Sequence, residues 1–387
     1  MVVIDVDTHW ETTEFAPGAH PLEPWLDRLP QTGVDRLAFG VAGDLLRALP
    51  ADRRPDGRTL LPTLVRMAEE RGGPIVLHPQ HDSTAGERTA WMDRVGIDHC
   101  LVNPGGYWQM LEFIGADRAA GAARCNDYLG EQLADEAGRL HGVAVVDLSD
   151  LAGAAAELER ARARGHRAFF LYTLNGRPPG DLAPGHPAWD VVWTAATRLG
   201  MIAVIHIGNT AADFGGWADI GWDRPDGAGV TALTRLGNTQ RIHVAQNLLV
   251  SMLYGGVFHR HPELTVLLEE MKIGWFPWFV DACTRQSTAS PGLGDWPFPV
   301  SGGDMLRRNV KITPLPGLGD VEAVDVLRRV PGACLFSSDY PHMEGNVDPI
   351  NLYGSALDDL DAGVRDAFLG GTIAEAYRRT GDPIASP

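Results

Sequence analysis

Residues 2–9 read VVIDVDTH, an apolar, β-branched run that ends in the polar residues Asp7, Thr8 and His9. Three later runs end in the same way: MIAVIHIG at 201–208, LTVLLEE at 264–270 and ACLFSSD at 333–339. A buried carboxylate or imidazole is costly unless it is paired or bound to a metal. Polar side chains at the carboxyl ends of buried parallel strands are typical of a (β/α)₈ barrel, whose active site lies there. The four runs therefore predict a barrel with a metal ion at its mouth.

The composition describes an ordinary globular protein, with 387 residues, 44% hydrophobic and 21% charged. The net charge of −17 argues against nucleic acid or an anionic membrane as a partner and leaves a small-molecule substrate. The four cysteines have no CxxC spacing, which indicates free thiols in a reducing compartment. No signal-peptide pattern and no apolar run of about 20 residues is present, so we expect a cytoplasmic protein. A homodimer is compatible with these features.

Short apolar runs alternate with amphipathic segments, the pattern of repeated βα units. We predict eight strands, near residues 2–6, 98–103, 142–147, 167–172, 201–207, 264–270, 310–313 and 333–339. Helices are predicted at 150–164, with Asp150 as N-cap, and at 187–199 and 239–258. The fold class is a distorted TIM (β/α)₈ barrel, forming a single domain over residues 1–387. Residues 10–88 are too long for one βα loop and are predicted to contain an insertion that caps the barrel mouth.

Asp7 and His9 lie two positions apart on a strand, so both side chains leave the same face and can bind one ion. His206 and Asp339 end two other predicted strands. Imidazole with carboxylate favours a transition metal over Mg²⁺ or Ca²⁺. We expect one divalent ion held by Asp7, His9, His206 and Asp339, with zinc as the first choice and manganese or iron as alternatives.

The chain resembles the amidohydrolase superfamily, in particular the amidohydrolase-2 branch that includes aminocarboxymuconate semialdehyde decarboxylase. The matching motifs are DVDTHWE (5–11), AWMDRVGIDHCLVNP (90–104), RLHGVAVVDL (139–148), GMIAVIHIG (200–208), GGVFHRHPELTVLLEE (255–270) and LFSSDYPHMEG (335–345). The resemblance places the family's metal ligands on Asp7, His9, His206 and Asp339. The fourth strand, RAFFLYT at 167–173, lacks the lysine of binuclear relatives, which implies a mononuclear site.

The chain departs from the family at Glu270, which stands where the decarboxylases have a histidine. We expect Glu270, together with Asp339, to move a proton to or from a metal-activated water. A structural role, in which Glu270 pairs with a nearby arginine or lysine, is the alternative. His243 is a further acid/base candidate, although the pattern favours a histidine packed on a helix.

Four other residues are candidates for contact with the substrate: Trp10, Arg124, Lys272 and His342. The three carboxylates of Asp7, Glu270 and Asp339 beside one dication would repel an anionic substrate unless basic side chains compensate for their charge. This charge balance favours hydrolysis of a C–N or C–O bond in a small organic molecule. The alternative is non-oxidative decarboxylation, as in characterised relatives, and a metal-binding barrel without turnover is a third hypothesis.

Overall fold

A computed structural model describes residues 2–10, 21–25, 84–105, 111, 114–173, 177–207, 236, 239–240, 242–288, 292, 294–315, 323–342 and 344–384. Its centre is a curved sheet of parallel strands, in which each strand pairs with the next one along the chain. The strands are β1 (Ile4–Trp10), β2 (His99–Pro104), β3 (Leu140–Ala144), β4 (Ala168–Phe170), β5 (Ile202–His206), β6 (Val266–Glu269) and β7 (Val310–Ile312). Seven of the eight predicted strands are therefore confirmed, with ends displaced by up to four residues.

The eighth predicted strand is an irregular segment that closes the barrel. This closing segment, Cys334–Tyr340, forms parallel bridges to β7 at Ile312 and to β1 at Thr8. The Leu335 amide donates to Ile312 (2.9 Å), and the Asp339 amide donates to the Asp7 carbonyl (2.9 Å). Backbone hydrogen bonds thus run from β7 through the closing segment to β1, as the predicted TIM barrel requires.

Helices follow the strands and cover the outside of the sheet. They are α1 (Ala85–Val95), α2 (Arg118–Leu133), α3 (Leu151–Ala163), α4 (Asp190–Leu199), α5 (Ile242–Tyr254), α6 (Val257–Arg260), α7 (Phe276–Gln286), α8 (Gly302–Asn309), α9 (Ala323–Arg329), α10 (Pro349–Asp358), α11 (Ala362–Asp366) and α12 (Thr372–Arg379). None of the helices in this part of the chain is long and apolar enough to cross a membrane.

Local signals explain where two predicted helices begin and end. The Asp150 side chain accepts a hydrogen bond from the Gly153 amide (3.1 Å), which confirms it as the N-cap of α3. The segment predicted as one helix at 239–258 is divided into α5 and α6. The break falls at Gly256, whose φ of 77° is in the left-handed region that glycine tolerates.

Two apolar layers form the core because alternate strand residues point to opposite faces. Ile4, Val204 and Leu267 belong to the inner layer, which α12 meets through Ile373 and Tyr377. The other strand face packs against the surrounding helices, with the stacked pair Trp189 and Trp193 among the contacts. The rigid inner layer supports the polar residues at the carboxyl ends of the strands. The insertion predicted at 10–88 lies mostly outside the described residues.

Candidate metal centre

The end of β1 brings two predicted ligands to the mouth of the barrel. The register of β1 with β2 shifts between Asp5 and Thr8, which marks a bulge. Beyond the bulge, the His9 amide donates to the Tyr340 carbonyl at 2.7 Å, which fixes β1 against the closing segment. Asp7 and His9 are both buried, with exposed fractions of 0% and 3%.

The imidazole of His9 lies at the centre of the cluster. Its Nε2 atom is 3.3 Å from Asp7 Oδ1, 3.3 Å from Asp339 Oδ1 and 3.5 Å from Glu270 Oε1. His206 joins from the end of β5, with its Nε2 atom 3.3 Å from Glu270 Oε1. Residues from β1, β5, the end of β6 and the closing segment therefore meet at one point.

Two of these residues have an unusual backbone. Glu270 has a φ of 59° and Asp339 a φ of 55°, in the left-handed region that costs a non-glycine residue about 1–3 kcal/mol. Both residues end an extended segment at the mouth. The left-handed turn directs the Glu270 carboxylate into the cluster, although the preceding Glu269 is the last residue of β6. Strain at such positions is typical of functional sites.

The donor set fits a divalent metal ion. One ligand atom from each of Asp7, His9, His206 and Glu270 lies within 4.8 Å of all the others, and the same holds for His9, Glu270, Asp339 and His342. Four buried atoms in the cluster make no hydrogen bond within the described part of the chain: Asp7 Oδ2, His9 Nε2, Glu270 Oε1 and Asp339 Oδ2. Buried polar atoms are rarely left in this state, and a shared cation would satisfy them.

The two groups share His9 and Glu270, so the structure places Glu270 among the residues that could hold a metal ion. The sequence instead assigns the ligand role to Asp7, His9, His206 and Asp339 and a proton-transfer role to Glu270. All five residues lie at the mouth, and the carboxylate of Glu270 can serve in either role.

The charges of the cluster favour a bound cation. Burial opposes ionisation of Glu270, but the imidazoles of His206 and His9 outweigh it and hold the Glu270 pKa well below its ordinary value. Burial, with the negative charge of Glu270 added, raises the Asp339 pKa well above normal. Burial and His342 oppose protonation of His9, yet contacts with Asp339, Asp7 and Glu270 raise the His9 pKa well above normal. The cluster thus stabilises positive charge at its centre, which is what a metal ion supplies.

A second layer of polar residues supports the cluster. Asn103, at the end of β2, donates from Nδ2 to Asp7 Oδ1 (3.0 Å) and to Glu269 Oε2 (2.9 Å). Burial, with the charge of Asp7 added, raises the Glu269 pKa well above its ordinary value. The Asp5 carboxylate accepts from the Ser338 amide (3.0 Å), which connects β1 to the closing segment once more. These contacts fix the orientation of the residues that could hold a metal ion.

Sequence reasoning gives no role to Asn103 or to Arg88. Asn103 is a polar residue at the end of the second predicted strand, just as His206 is near the end of the fifth. This position could have marked Asn103 as a candidate site residue. Arg88 is fully buried in α1 and donates to Thr8 Oγ1 (3.1 Å) and the His9 carbonyl (2.6 Å). Its guanidinium lies 4.9 Å from the centre of the Tyr340 ring. No sequence signal indicated this contact, because Arg88 is separated from β1 by the long insertion.

The remaining predicted site residues lie at different distances from the cluster. His342 is part of it: its ring stacks on His9 at 3.9 Å between centroids, and its Nδ1 atom is 2.9 Å from Asp339 Oδ1. Trp10 ends β1 and is buried beside Arg88. Lys272 follows Glu270 by two residues and is half-buried.

Two other candidates have contacts elsewhere. Arg124 on α2 donates to the Pro21 carbonyl at 2.9 Å. His243 on α5 is exposed, and its Nδ1 atom lies 3.2 Å from Gln246 Oε1. The structure does not bring either side chain into contact with the metal-capable cluster within the described residues.

Comparison with known proteins places this geometry in context. A family model described as amidohydrolase (Amidohydro_2) matches residues 90–379, most of the chain. No curated protein sequence matches the chain significantly.

Several solved structures share the fold at low sequence identity. An amidohydrolase from Mycobacterium avium subsp. paratuberculosis is 19% identical, with a TM-score of 0.64 and 97% of both chains covered. 5-Carboxyvanillate decarboxylase from Sphingomonas paucimobilis is 18% identical, with a TM-score of 0.59, covering 97% of this chain and 99% of that one. Dihydroxybenzoic acid decarboxylase from Polaromonas sp., with bound manganese and 2-nitroresorcinol, is 16% identical, with a TM-score of 0.57 and 97% of both chains covered. At these identities the likeness establishes the barrel fold.

Proposed function

The chain belongs to the amidohydrolase (Amidohydro_2) family, and from this premise we propose that it is a metal-dependent decarboxylase of hydroxylated aromatic acids. The observation that carries the proposal is the convergence of Asp7, His9, His206, Glu270 and Asp339 at the mouth of the barrel. Similar structures include decarboxylases of 5-carboxyvanillate and dihydroxybenzoic acid, which supplies the substrate class. The family resemblance and these neighbours favour decarboxylation over the hydrolysis that charge balance alone suggested.

Within this proposal, His9, His206 and carboxylates of the cluster hold one divalent ion. The mixed imidazole and carboxylate set accommodates manganese as well as zinc, and a similar decarboxylase contains manganese. A bound ion of this kind supplies Lewis-acid chemistry and orients the substrate's oxygen atoms. Asn103 keeps the Asp7 carboxylate turned toward the ion.

Asp339 is the proposed proton donor. Its raised pKa keeps a proton available, and its buried Oδ2 atom makes no hydrogen bond in the described part of the chain. The proton passes to the ring carbon that bears the carboxylate. The carbon–carbon bond then breaks, its electron pair stays with the ring, and CO₂ leaves. The net change is the exchange of one carboxylate for one hydrogen, with consumption of one proton.

His342 is the proposed route by which Asp339 regains its proton. The imidazole contacts Asp339 Oδ1 at 2.9 Å, and its side chain is 17% exposed, whereas that of Asp339 is fully buried. An imidazole exchanges protons readily near neutral pH. His342 therefore connects the buried acid with the solvent.

The burial of the acidic residues removes part of the objection to an anionic substrate. The sequence places several carboxylates beside one dication, and that count favours a neutral substrate. In the folded chain burial, with the charge of Glu270 added, raises the pKa of Asp339, so one of the counted carboxylates contributes less negative charge than the count implies. The cluster can therefore accept a carboxylate group beside a metal ion.

Hydrolysis remains a second candidate because of Glu270. The low pKa of Glu270 keeps its carboxylate ionised, and an ionised carboxylate within the cluster is a suitable general base for water. This arrangement would suit a neutral lactone or amide.

We also propose that residues 10–88 cover the mouth and contribute to specificity. Both ends of this segment are attached there, since Trp10 ends β1 and Arg88 donates to the His9 carbonyl at 2.6 Å. Loops at this face of a TIM barrel usually determine the substrate. The substrate contacts expected of Trp10, Arg124 and Lys272 belong to the same proposal.

Product analysis separates the two candidates. The purified chain, loaded with Mn²⁺ or Zn²⁺, is incubated with a panel of hydroxybenzoic acids and, in parallel, with neutral aryl lactones and amides. A decarboxylase releases CO₂ and the phenol that lacks the carboxylate, whereas a hydrolase produces a new carboxylic acid from the neutral panel. Turnover of the neutral panel alone would replace the decarboxylase assignment with hydrolysis. Asp339→Asn serves as the control for background reaction in both panels.

A further inference from the structure

A cleft of about 620 Å³ opens at the base of the barrel, at the amino ends of β7 and the closing segment. We call it the basal cleft. Because the strands are parallel, it lies at the opposite end of the barrel from the metal-capable cluster and shares no residue with it. Its charged lining consists of the basic residues Arg307, Arg308, Lys311 and Arg379 and the exposed acidic residues Asp366 and Glu375.

Lys311 is the buried cation of this cleft. The residue is 5% exposed, and its ammonium group donates to the carbonyl oxygen of Arg307 at 2.8 Å. An ammonium group has three protons to donate, and this one contacts no carboxylate in the described part of the chain. Burial, with the positive charge of Arg379 added, lowers the Lys311 pKa to about 8. The structure thus places an uncompensated amine in the wall of an open cleft.

Arg308 is in a similar position. Its guanidinium donates to Asn309 Oδ1 (3.0 Å) and to the Phe258 carbonyl (2.6 Å), both uncharged oxygens. Burial and the charge of Arg379 lower the Arg308 pKa. Neither Lys311 nor Arg308 has a carboxylate within ion-pair distance among the residues described.

The acidic side chains nearby are already engaged or exposed. Asp304 pairs with Arg307 at 3.1 Å, and Glu263 lies 3.7 Å from Arg379. Glu375 is exposed and accepts two hydrogen bonds from Arg378. Positive charge therefore remains concentrated on the inner wall of the cleft, in a chain whose net charge is −17.

We propose that the basal cleft binds a phosphate-type oxyanion, either free inorganic phosphate or the phosphate group of a small metabolite. Arginine forks match the oxygen geometry of phosphate, and a lysine adds a point charge. The volume exceeds that of one phosphate ion and falls in the range of small-molecule sites. This site is separate from the proposed decarboxylase centre.

Isothermal titration calorimetry of the metal-loaded full-length chain with inorganic phosphate, at low ionic strength, tests the proposal. A parallel titration uses glycerol 3-phosphate. We expect saturable binding of at least one of them, weakened about tenfold or more by Lys311→Met and by Arg308→Gln, since each removes a charge-assisted hydrogen bond. Tighter binding of inorganic phosphate identifies the free ion as ligand, and tighter binding of glycerol 3-phosphate identifies a metabolite.

Three controls make the outcome decisive. Arg198→Gln removes the same charge from an exposed arginine that pairs with Glu159, and should leave binding unchanged. Chelation of the metal should also leave it unchanged, because phosphate bound at the mouth would be lost with the ion. If Lys311→Met fails to fold by circular dichroism, the half-exposed Arg308 provides the test alone. The proposal would be overturned if phosphate binding is not saturable or if it depends on the metal. It would also be overturned if Arg198→Gln weakens binding as much as Lys311→Met and Arg308→Gln do.

Discussion

At the mouth of the barrel, buried carboxyl groups surround the imidazoles of His9 and His206, whereas the base contains buried histidines, a lysine and several arginines. Glu269 and Asp339 are fully buried at the mouth, and His141 and Lys311 are each 5% exposed at the base. The two ends therefore bury different kinds of ionisable group within one apolar shell. The helix dipoles provide a physical reason, because helices that follow parallel strands begin near the mouth and end near the base. Arg162 in the last turn of α3 and Arg308 in the last turn of α8 match this polarity.

The two ends also differ in how their polar groups are satisfied. At the mouth, buried atoms from distant strands that make no hydrogen bond among the described residues lie together, and a shared cation would satisfy them. At the base, His141 Nε2 lies 3.3 Å from His99 Nδ1, and burial lowers the pKa values of His141 and Lys311. The polar side chains are buried to a similar extent at both ends of the barrel. What distinguishes the candidate reactive site at the mouth is therefore which side chains it contains and where they point.

The largest effect is expected at the mouth, from His206→Ala. Loss of this imidazole should remove the bound metal and lower activity by on the order of 10⁴-fold or more. Elemental analysis and steady-state kinetics measure the two quantities. His259→Ala, at an exposed histidine on α6, is the matched control. One equivalent of metal retained by His206→Ala would show that the cluster is not the metal centre.

Glu270→Gln tests whether a charge or only an oxygen atom is needed. We expect activity to fall by about 10²–10⁴-fold while the metal content stays near one ion per chain, because glutamine keeps an oxygen where the carboxylate was. Metal content and activity are measured on the same preparation. Preservation of both would assign Glu270 a structural role.

His141→Gln probes the base through the pH dependence of stability. Burial, with the charges of Arg167, His99 and Arg162 added, lowers the His141 pKa from 6.5 to about 3. Below pH 6.5 His141 is protonated in the unfolded chain but stays neutral in the folded chain. The free energy of unfolding should therefore decrease as the pH falls. Between pH 7 and pH 4.5 the loss amounts to about 2.5 kcal/mol.

The measurement is urea unfolding of the metal-free chain at both pH values. The wild type should lose more stability than His141→Gln over this interval, since glutamine does not titrate. An equal loss in the two proteins would mean that His141 is not kept neutral by the fold.

The smallest predicted effect concerns the support of the metal centre. Asn103→Ala removes the hydrogen bonds to Asp7 and Glu269 and should weaken metal binding by about 10–100-fold. Asn126→Ala is a suitable control, because Asn126 is equally buried but donates to Val145, away from the cluster. Competition with a metal-sensitive chelator gives both dissociation constants. Equal weakening in the two variants would attribute the effect to general destabilisation.

The fold was largely predictable from local patterns. Apolar runs of strand length, separated by amphipathic segments, located seven strands to within a few residues, and Asp150 marked the start of α3. The same patterns could not show that 333–339 would close the barrel as an irregular segment. That outcome depends on hydrogen bonds to Ile312 and Asp7, which exist only when β7 and β1 have come together.

The candidate site was predictable in part. Asp7, His9, His206 and Asp339 each end an apolar run, so chain position alone placed them at one edge of the sheet. The position of Glu270 among the ligand atoms follows from its left-handed backbone, which the sequence does not encode in a recognisable motif. The presence of His342 in the cluster could be suspected from its closeness to Asp339, but its stacking on His9 could not.

Local sequence patterns were enough to predict the barrel, its likeness to a metal-dependent family and the residues that end its strands. Those features depend on hydrophobic periodicity, which acts over a few neighbouring residues. The contacts across the mouth and the grouping of basic residues at the base depend on the folded arrangement of distant segments. Asn103 joins Asp7 to Glu269 over sequence separations of 96 and 166 residues, and Lys311 of β7 is buried near Arg379 of α12 in the basal cleft. Such contacts, and the pKa shifts they produce, arise from burial and distance, which exist only after the chain has folded.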